Sequence, residues 1–112
     1  MSYKIFGTAR SNGCKGGQIT HVLVKMEYVS KIFSLGSVVE MIEKKERFWS
    51  YHYDGGKIDE VTKMYVEVFV DQNEKFLRTC RQDVQENNLF ELPIYYFNGD
   101  RQTWVPCMTA AP

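Results

Sequence analysis

The sequence predicts a single α+β domain: one antiparallel, twisted β-sheet of five or six strands, with one helix over about residues 37–46 packed on one face. Three observations predict it. Apolar residues recur with a period of two along much of the chain, as where Met64, Val66, Val68 and Val70 alternate with Tyr65, Glu67 and Phe69. A single segment, opening at Ser37, combines helical spacing with a helix-start signal. The 112 residues fill one domain of the usual ~100–150 residues and leave too little chain for two cores.

Residues 3–9 read as a first strand and residues 18–28 as a second, in which Ile19, His21, Leu23 and Lys25 alternate with Thr20, Val22, Val24 and Met26. The glycine-rich, basic run 10–17 between them is too flexible for either helix or strand. Ser37-Val38-Val39-Glu40 is a capping-box pattern, and Val38, Val39, Met41 and Ile42 form the apolar stripe behind it. Residues 47–53 read as a third strand, and Asp54-Gly55-Gly56-Lys57 supplies the positive φ values of a tight hairpin, with residues 58–62 pairing back. The strand over residues 64–70 ends in the turn Asp71-Gln72-Asn73-Glu74, and residues 75–79 return beside it. Residues 81–88 are polar and aperiodic, a loop or a single helical turn; residues 89–92 pack back, and residues 94–97 form a last strand. An Asn98-Gly99 turn then starts a C-terminal tail, 98–112, of the one domain 1–112.

Fourteen basic residues balance fourteen acidic ones, so no long-range field steers the chain to nucleic acid, although local patches are set by folding. Aromatic residues make up 14% of the chain, which suits a sheet-rich fold and leaves rings for an interface. Cys14, Cys80 and Cys107 are an odd count without a CxxC pair and read as free thiols in a reducing cytosol. The N-terminus lacks the apolar run of a signal peptide, and nothing approaches the ~20 apolar residues of a membrane span. A cytoplasmic protein without membrane contact is expected.

Candidate chemistry is sparse. His21 and His52 lie in strands without carboxylates or cysteines at ligand spacing, so neither a metal nor another cofactor is expected. No thiol has a local base, and the sequence reads against an enzyme. Residues 12–17, with Lys15, could shape a backbone nest for an anion, but they lack the strand-loop-helix setting of a phosphate loop and read first as a hairpin connection. In residues 48–53 the two-residue period points Phe48 opposite to Trp49, Tyr51 and Tyr53. That ring face stacks bases if open and is core if the helix covers it, the second being the expectation.

The densest polar cluster is Leu77-Arg78-Thr79, Asn87-Asn88-Leu89 and Leu92-Pro93. With Ile19-Thr20-His21-Val22, it resembles a small prokaryotic and phage family of uncharacterised proteins, domain of unknown function 3892, over roughly residues 3–97. In that family a Leu-Arg-Thr segment precedes Asp, then Asp-Asn-Leu and Leu-Pro. Here Gln82 stands at the first Asp, with Asp83 beside it, and Asn87 replaces the second, so paired carboxylates do not carry over. The resemblance implies a fold and a loop, and no activity. Arg78 is read first as a residue that holds its Asn-rich turn through carbonyls.

The expectation is therefore a non-enzymatic binding domain for a small anionic, nucleotide-like ligand or a protein partner. A phage or mobile-element protein that sequesters a host factor has this profile; a small cytosolic enzyme and a nucleic-acid-binding module are the alternatives. The ligand residues expected are Arg78, Thr79, Asn87, Asn88, Arg10, Lys15 and Trp49. Apolar residues at both parities of the strands, and a tail containing Trp104, Val105, Pro106 and Met108, further predict a homodimer, with the tail folding onto its own sheet as the alternative.

Overall fold

The computed structural model describes residues 2–54, 57–80 and 88–107, the side chains of 52–62, 80 and 88 excepted. Among them, eight strands and one α-helix follow in the order β1 (Ser2–Arg10), β2 (Ile19–Lys25), β3 (Ser30–Ser34), α1 (Leu35–Glu43), β4 (Arg47–Asp54), β5 (Lys57–Asp71), β6 (Glu74–Cys80), β7 (Ile94–Asn98) and β8 (Thr103–Pro106). Short 3₁₀ turns at Gly13–Lys15 and Asn88–Glu91 complete the path.

The α+β class holds, but the sheet is mixed rather than antiparallel. Its order is β3-β2-β1-β4-β5-β6, and β1 runs parallel to both β4 and β7. The first half of β1 pairs with β4 (Tyr3↔Phe48, Lys4↔Trp49), and the second half pairs with β7 (Thr8↔Ile94, Ala9↔Tyr95). The sheet therefore forks along one edge of β1. Parallel neighbours need a crossover, and α1 supplies it by carrying the chain from β3 to β4.

The helix starts two residues earlier than its sequence signal. Ser34, not Ser37, is the N-cap: its hydroxyl accepts the Ser37 amide at 3.2 Å. Two serines three apart offer two candidate caps, and pairing of β3 with β2 up to Ser34 selects the first. Val38 and Val39 are buried against Tyr3, Ile5, Val22, Val24, Phe48, Val66 and Leu77. Leu89 and Leu92 close the same core, and Thr8 donates its amide to the Pro93 carbonyl at 3.0 Å, docking the segment after them onto β1.

Residues 58–71 are not two strands but one, β5; its register slips between Tyr51↔Lys63 and His52↔Asp59, a bulge that lets the strand bend without ending. The hairpin between Asp71 and Glu74 forms as expected, with Gln72 and Asn73 at φ 50° and 66°, the two positive values of a type I′ turn. Asp54 pairs with Lys57 across the first glycine turn, whose Gly55 and Gly56 lie outside the described residues. The polar segment 81–87 lies outside them too.

As far as Cys107 the tail after Asn98 is folded back onto the sheet; Met108 and the residues after it lie outside the described residues. Asn98 caps a turn by accepting the amides of Asp100 and Arg101, and β8 returns along β7. Cys14 and Cys107 form a disulfide across 93 residues of sequence, so these two cysteines are not the free thiols their spacing suggests. The bond ties the end of β8 to the β1–β2 connection. No helix among the described residues is long and apolar enough to cross a membrane.

Candidate functional site

Because side chains alternate across a strand, the sheet has a second face turned away from α1. Register assigns its occupants. Lys4 pairs with Lys25 and with Trp49, and Trp49 pairs with Tyr65, so these lie on one side; Phe48, Ser50, Met64 and Val66 lie on the other, buried.

The second face has two halves. Over β1 and β2 it is roofed by the β7–β8 hairpin, where Trp104 stands 5.6 Å from His21 and Tyr95 packs edge-on to Phe6 at 5.5 Å between centroids. Gly7 makes the close approach possible: a Cβ there would lie 2.6 Å from Tyr95 Cδ1 and 3.2 Å from the Pro93 carbonyl oxygen. Beside the roof, a cleft of about 310 Å³ runs between Leu23, Ile32 and Trp104.

Over β4, β5 and β6 the second face is open, and rings alternate with cations. Trp49 and Tyr51 meet edge-to-face at 5.2 Å. The Lys63 ammonium lies 4.4 Å from the Trp49 ring centroid, and the Lys4 ammonium lies 4.4 Å from that of Tyr51 and 5.9 Å from that of Trp49. Arg47 stands over Tyr65 at 5.8 Å, and Arg78 over Phe69 at 5.0 Å. Glu67 accepts from Arg78 Nε at 2.6 Å, and Asp71 and Glu74 lie on the same face beyond Phe69 and Phe76. At the rim, a cleft of about 410 Å³ shares Arg47 and Tyr65 with this face and adds Lys45. Its wall is fixed by the Tyr3 hydroxyl, which donates to Glu46 at 3.0 Å; that hydrogen bond, with burial and the carboxylate charge, raises the Tyr3 pKa above its ordinary value.

Those of the residues singled out in the sequence that are described do not converge. Trp49 and Arg78 share the open face, whereas Thr79 points to the core side and is buried at 1% exposure. Arg78 donates through Nε to Glu67 on the neighbouring strand, and the turn it was expected to hold lies outside the described residues. Asn87 and the side chain of Asn88 lie outside the described residues. Arg10 and Lys15 sit at the far end. Arg10 donates through Nε to the Gly17 carbonyl at 2.8 Å and covers Phe90 at 4.3 Å, and burial lowers its pKa. The glycine loop spends its amides on itself, since Asn12, Lys15 and Gly16 donate to the carbonyls of Gly16, Asn12 and Gly13. It is a hairpin connection, with Lys15 exposed beside it.

Sequence reading missed Lys4, Arg47, Lys63 and Tyr65. Their signal was present: Arg47, Trp49 and Tyr51 share one parity, as do Lys63 and Tyr65, so each ring run carried a cation on its own face. What the sequence lacked was the pairing that sets β1, β4 and β5 side by side.

No curated protein and no solved structure matches the chain. A family profile matches residues 9–93, close to the span of the resemblance seen in the sequence, and its description is protein of unknown function (DUF3892). The matched segment takes in β2 to β6 with the helix, and thus most of the sheet on which the open face is built; the chain belongs to the DUF3892 family.

Proposed function

We propose that this chain is a non-enzymatic binding domain that takes a nucleotide-like ligand, an anion bearing an aromatic ring, on the open half of its second face. The observation that carries the reading is the pairing of Trp49 with the Lys63 ammonium and of Tyr51 with the Lys4 ammonium, each at 4.4 Å. A base stacks on an aromatic plane, and the phosphate it carries falls within reach of the ammonium already seated there. Trp49 and Tyr51 are the stacking residues in this reading, Lys4 and Lys63 the phosphate ligands, and Arg47 a further cation at the rim cleft. Arg78 adds less charge, because Glu67 already occupies its Nε.

Calorimetric titration with a panel of nucleoside phosphates tests the reading, with inorganic phosphate as the control. Nucleotides bind and phosphate alone does not, and Trp49→Ala weakens nucleotide binding about tenfold, the loss of one stacked base. Nucleotides that bind Trp49→Ala as well as the parent chain, or none that bind the parent, would overturn it.

A protein partner, such as a host factor sequestered by a phage protein, is the second reading. Its support is Tyr28 and Val29, 89% and 58% exposed at the β2–β3 turn. A homodimer rests on the same residues, since the described part of the tail pairs with β7 within its own sheet. In a reducing cytoplasm Cys14 and Cys107 would stand as a juxtaposed thiol pair, whereas an oxidising compartment keeps their bond.

A further inference from the structure

We infer that the ligand of the open face is single-stranded nucleic acid rather than a free nucleotide; this rests on the nucleotide reading and narrows it.

The ring and cation pairs form a row rather than a single pocket. They run from Lys4 on β1 through Trp49 on β4 and Lys63 on β5 to Arg78 and Phe69 at the β5–β6 pair. Neighbouring strands lie about 4.8 Å apart, so the row crosses three intervals, roughly 14 Å. One nucleotide offers one base and one phosphate group and leaves most of that row unused. An extended strand offers a base and a phosphate at every step.

Charge points the same way. The chain as a whole is neutral, with fourteen residues of each sign. Yet register gathers Lys4, Arg47, Lys63 and Arg78 on this face, with Lys25 beside Lys4 on β2, against Glu67, Asp71 and Glu74 among the described residues. Glu67, Asp71 and Glu74 lie towards the β5–β6 end, so the β1–β4–β5 part carries the excess of positive charge; a polyanion uses such an excess, and releasing its condensed counterions adds to affinity.

The surface is also open where small-ligand sites are closed. Sites for free small molecules bury most of their ligand in a cleft, whereas single-strand binders track the backbone along an exposed groove with rings as stacking platforms. Tyr65 is 43% exposed, and Trp49 and Tyr51 are half-buried on the sheet rather than enclosed. Paired bases present no free face to such rings, so a duplex gains only the phosphate contacts.

Fluorescence anisotropy of the full chain with labelled oligothymidylate tests the inference, using lengths from one to twelve nucleotides and a duplex of matched length. Affinity should rise more than tenfold from the mononucleotide to the hexamer. Salt dependence should follow a log–log slope near −2, about three phosphates at ~0.7 each. Trp49→Ala should weaken the hexamer roughly tenfold. Lys44→Ala, at the end of α1 on the opposite side, should leave it unchanged. A hexamer that binds no tighter than the mononucleotide would overturn the polymer while leaving the nucleotide reading intact. A duplex bound as tightly as the single strand would overturn it as well, by reducing the face to a phosphate patch. Absence of binding at every length, the mononucleotide included, would remove both readings together.

Discussion

The two halves of the second face are made by the same sheet and the same alternation, yet they end differently. Over β1 and β2 that face presents Gly7, Ala9 and Leu23, small or apolar groups, with the His21 ring, and the chain's own β7–β8 hairpin covers them with Tyr95 and Trp104. Over β4 and β5 it presents Trp49, Tyr51 and Tyr65 with a cation on each ring, and no described element covers them. The difference is one of desolvation. Covering apolar surface is favourable, at about 25 cal/mol per Å², whereas covering Lys4, Arg47 and Lys63 would strip hydration from charges that form no ion pair among the described residues. The molecule closes the half that is apolar and leaves open the half that carries charge.

The largest expected effect separates the two faces of β4 itself. Phe48 is fully buried and stacks on Tyr3 at 5.0 Å, so Phe48→Ala should cost about 3–5 kcal/mol of stability. Trp49, its neighbour on the other face, should cost about 1 kcal/mol or less on truncation to Ala. Chemical denaturation of the two variants measures both. Equal losses would mean that Trp49 belongs to a core and that the open half is not open.

The next effect tests the roof. The Cys14–Cys107 bond spans 93 residues and holds β8 to the β1–β2 connection, so Cys107→Ser should lower stability by about 2–5 kcal/mol in denaturant under oxidising conditions. A reducing agent should do the same to the parent chain and nothing to the variant. If the hairpin is held by Tyr95 and Trp104 alone, the parent will not respond to reduction.

Much of this architecture was legible in the sequence, and the reason is locality. Asp71-Gln72-Asn73-Glu74 specifies its turn within four residues, and the period of two in residues 47–53 fixed Phe48 opposite to Trp49 whatever lay beyond. The parallel pairing of β1 with β4 and β7 is different, because it joins residues over forty positions apart and leaves no local mark. The disulfide is the extreme case, for nothing near Cys14 announces Cys107. β3 also escaped notice: five residues, Ser30–Ser34, with polar ends, are too few to show a period. The candidate site fell between these limits. Trp49 and Arg78 were visible as residues, but Lys4 and Lys63 join them only through pairing across strands.

The smallest effect tests the role of Arg78. As a pin for buried turn carbonyls its loss would be costly. As one half of an ion pair with Glu67, both side chains about 40% exposed, it contributes little, because water and salt screen the charges. Arg78→Ala should therefore change stability by about 0–1 kcal/mol, read from the denaturation midpoint. A loss above 2 kcal/mol would restore the turn-pinning role and remove Arg78 from the open face.

Tryptophan emission reads the central claim most directly, because the chain has two tryptophans, one on the open half of the second face and one in the roof over the other half. In a Trp104→Phe variant, Trp49 is the sole tryptophan reporter, and titration with a thymidylate hexamer should quench its emission saturably as a base stacks on the indole. Quenching should weaken as salt rises. In the converse variant, Trp49→Phe, the emission of Trp104 in the roof should stay constant at the same concentrations. Emission from Trp49 that does not change with hexamer, or that changes no more than Trp104 does, would contradict the account.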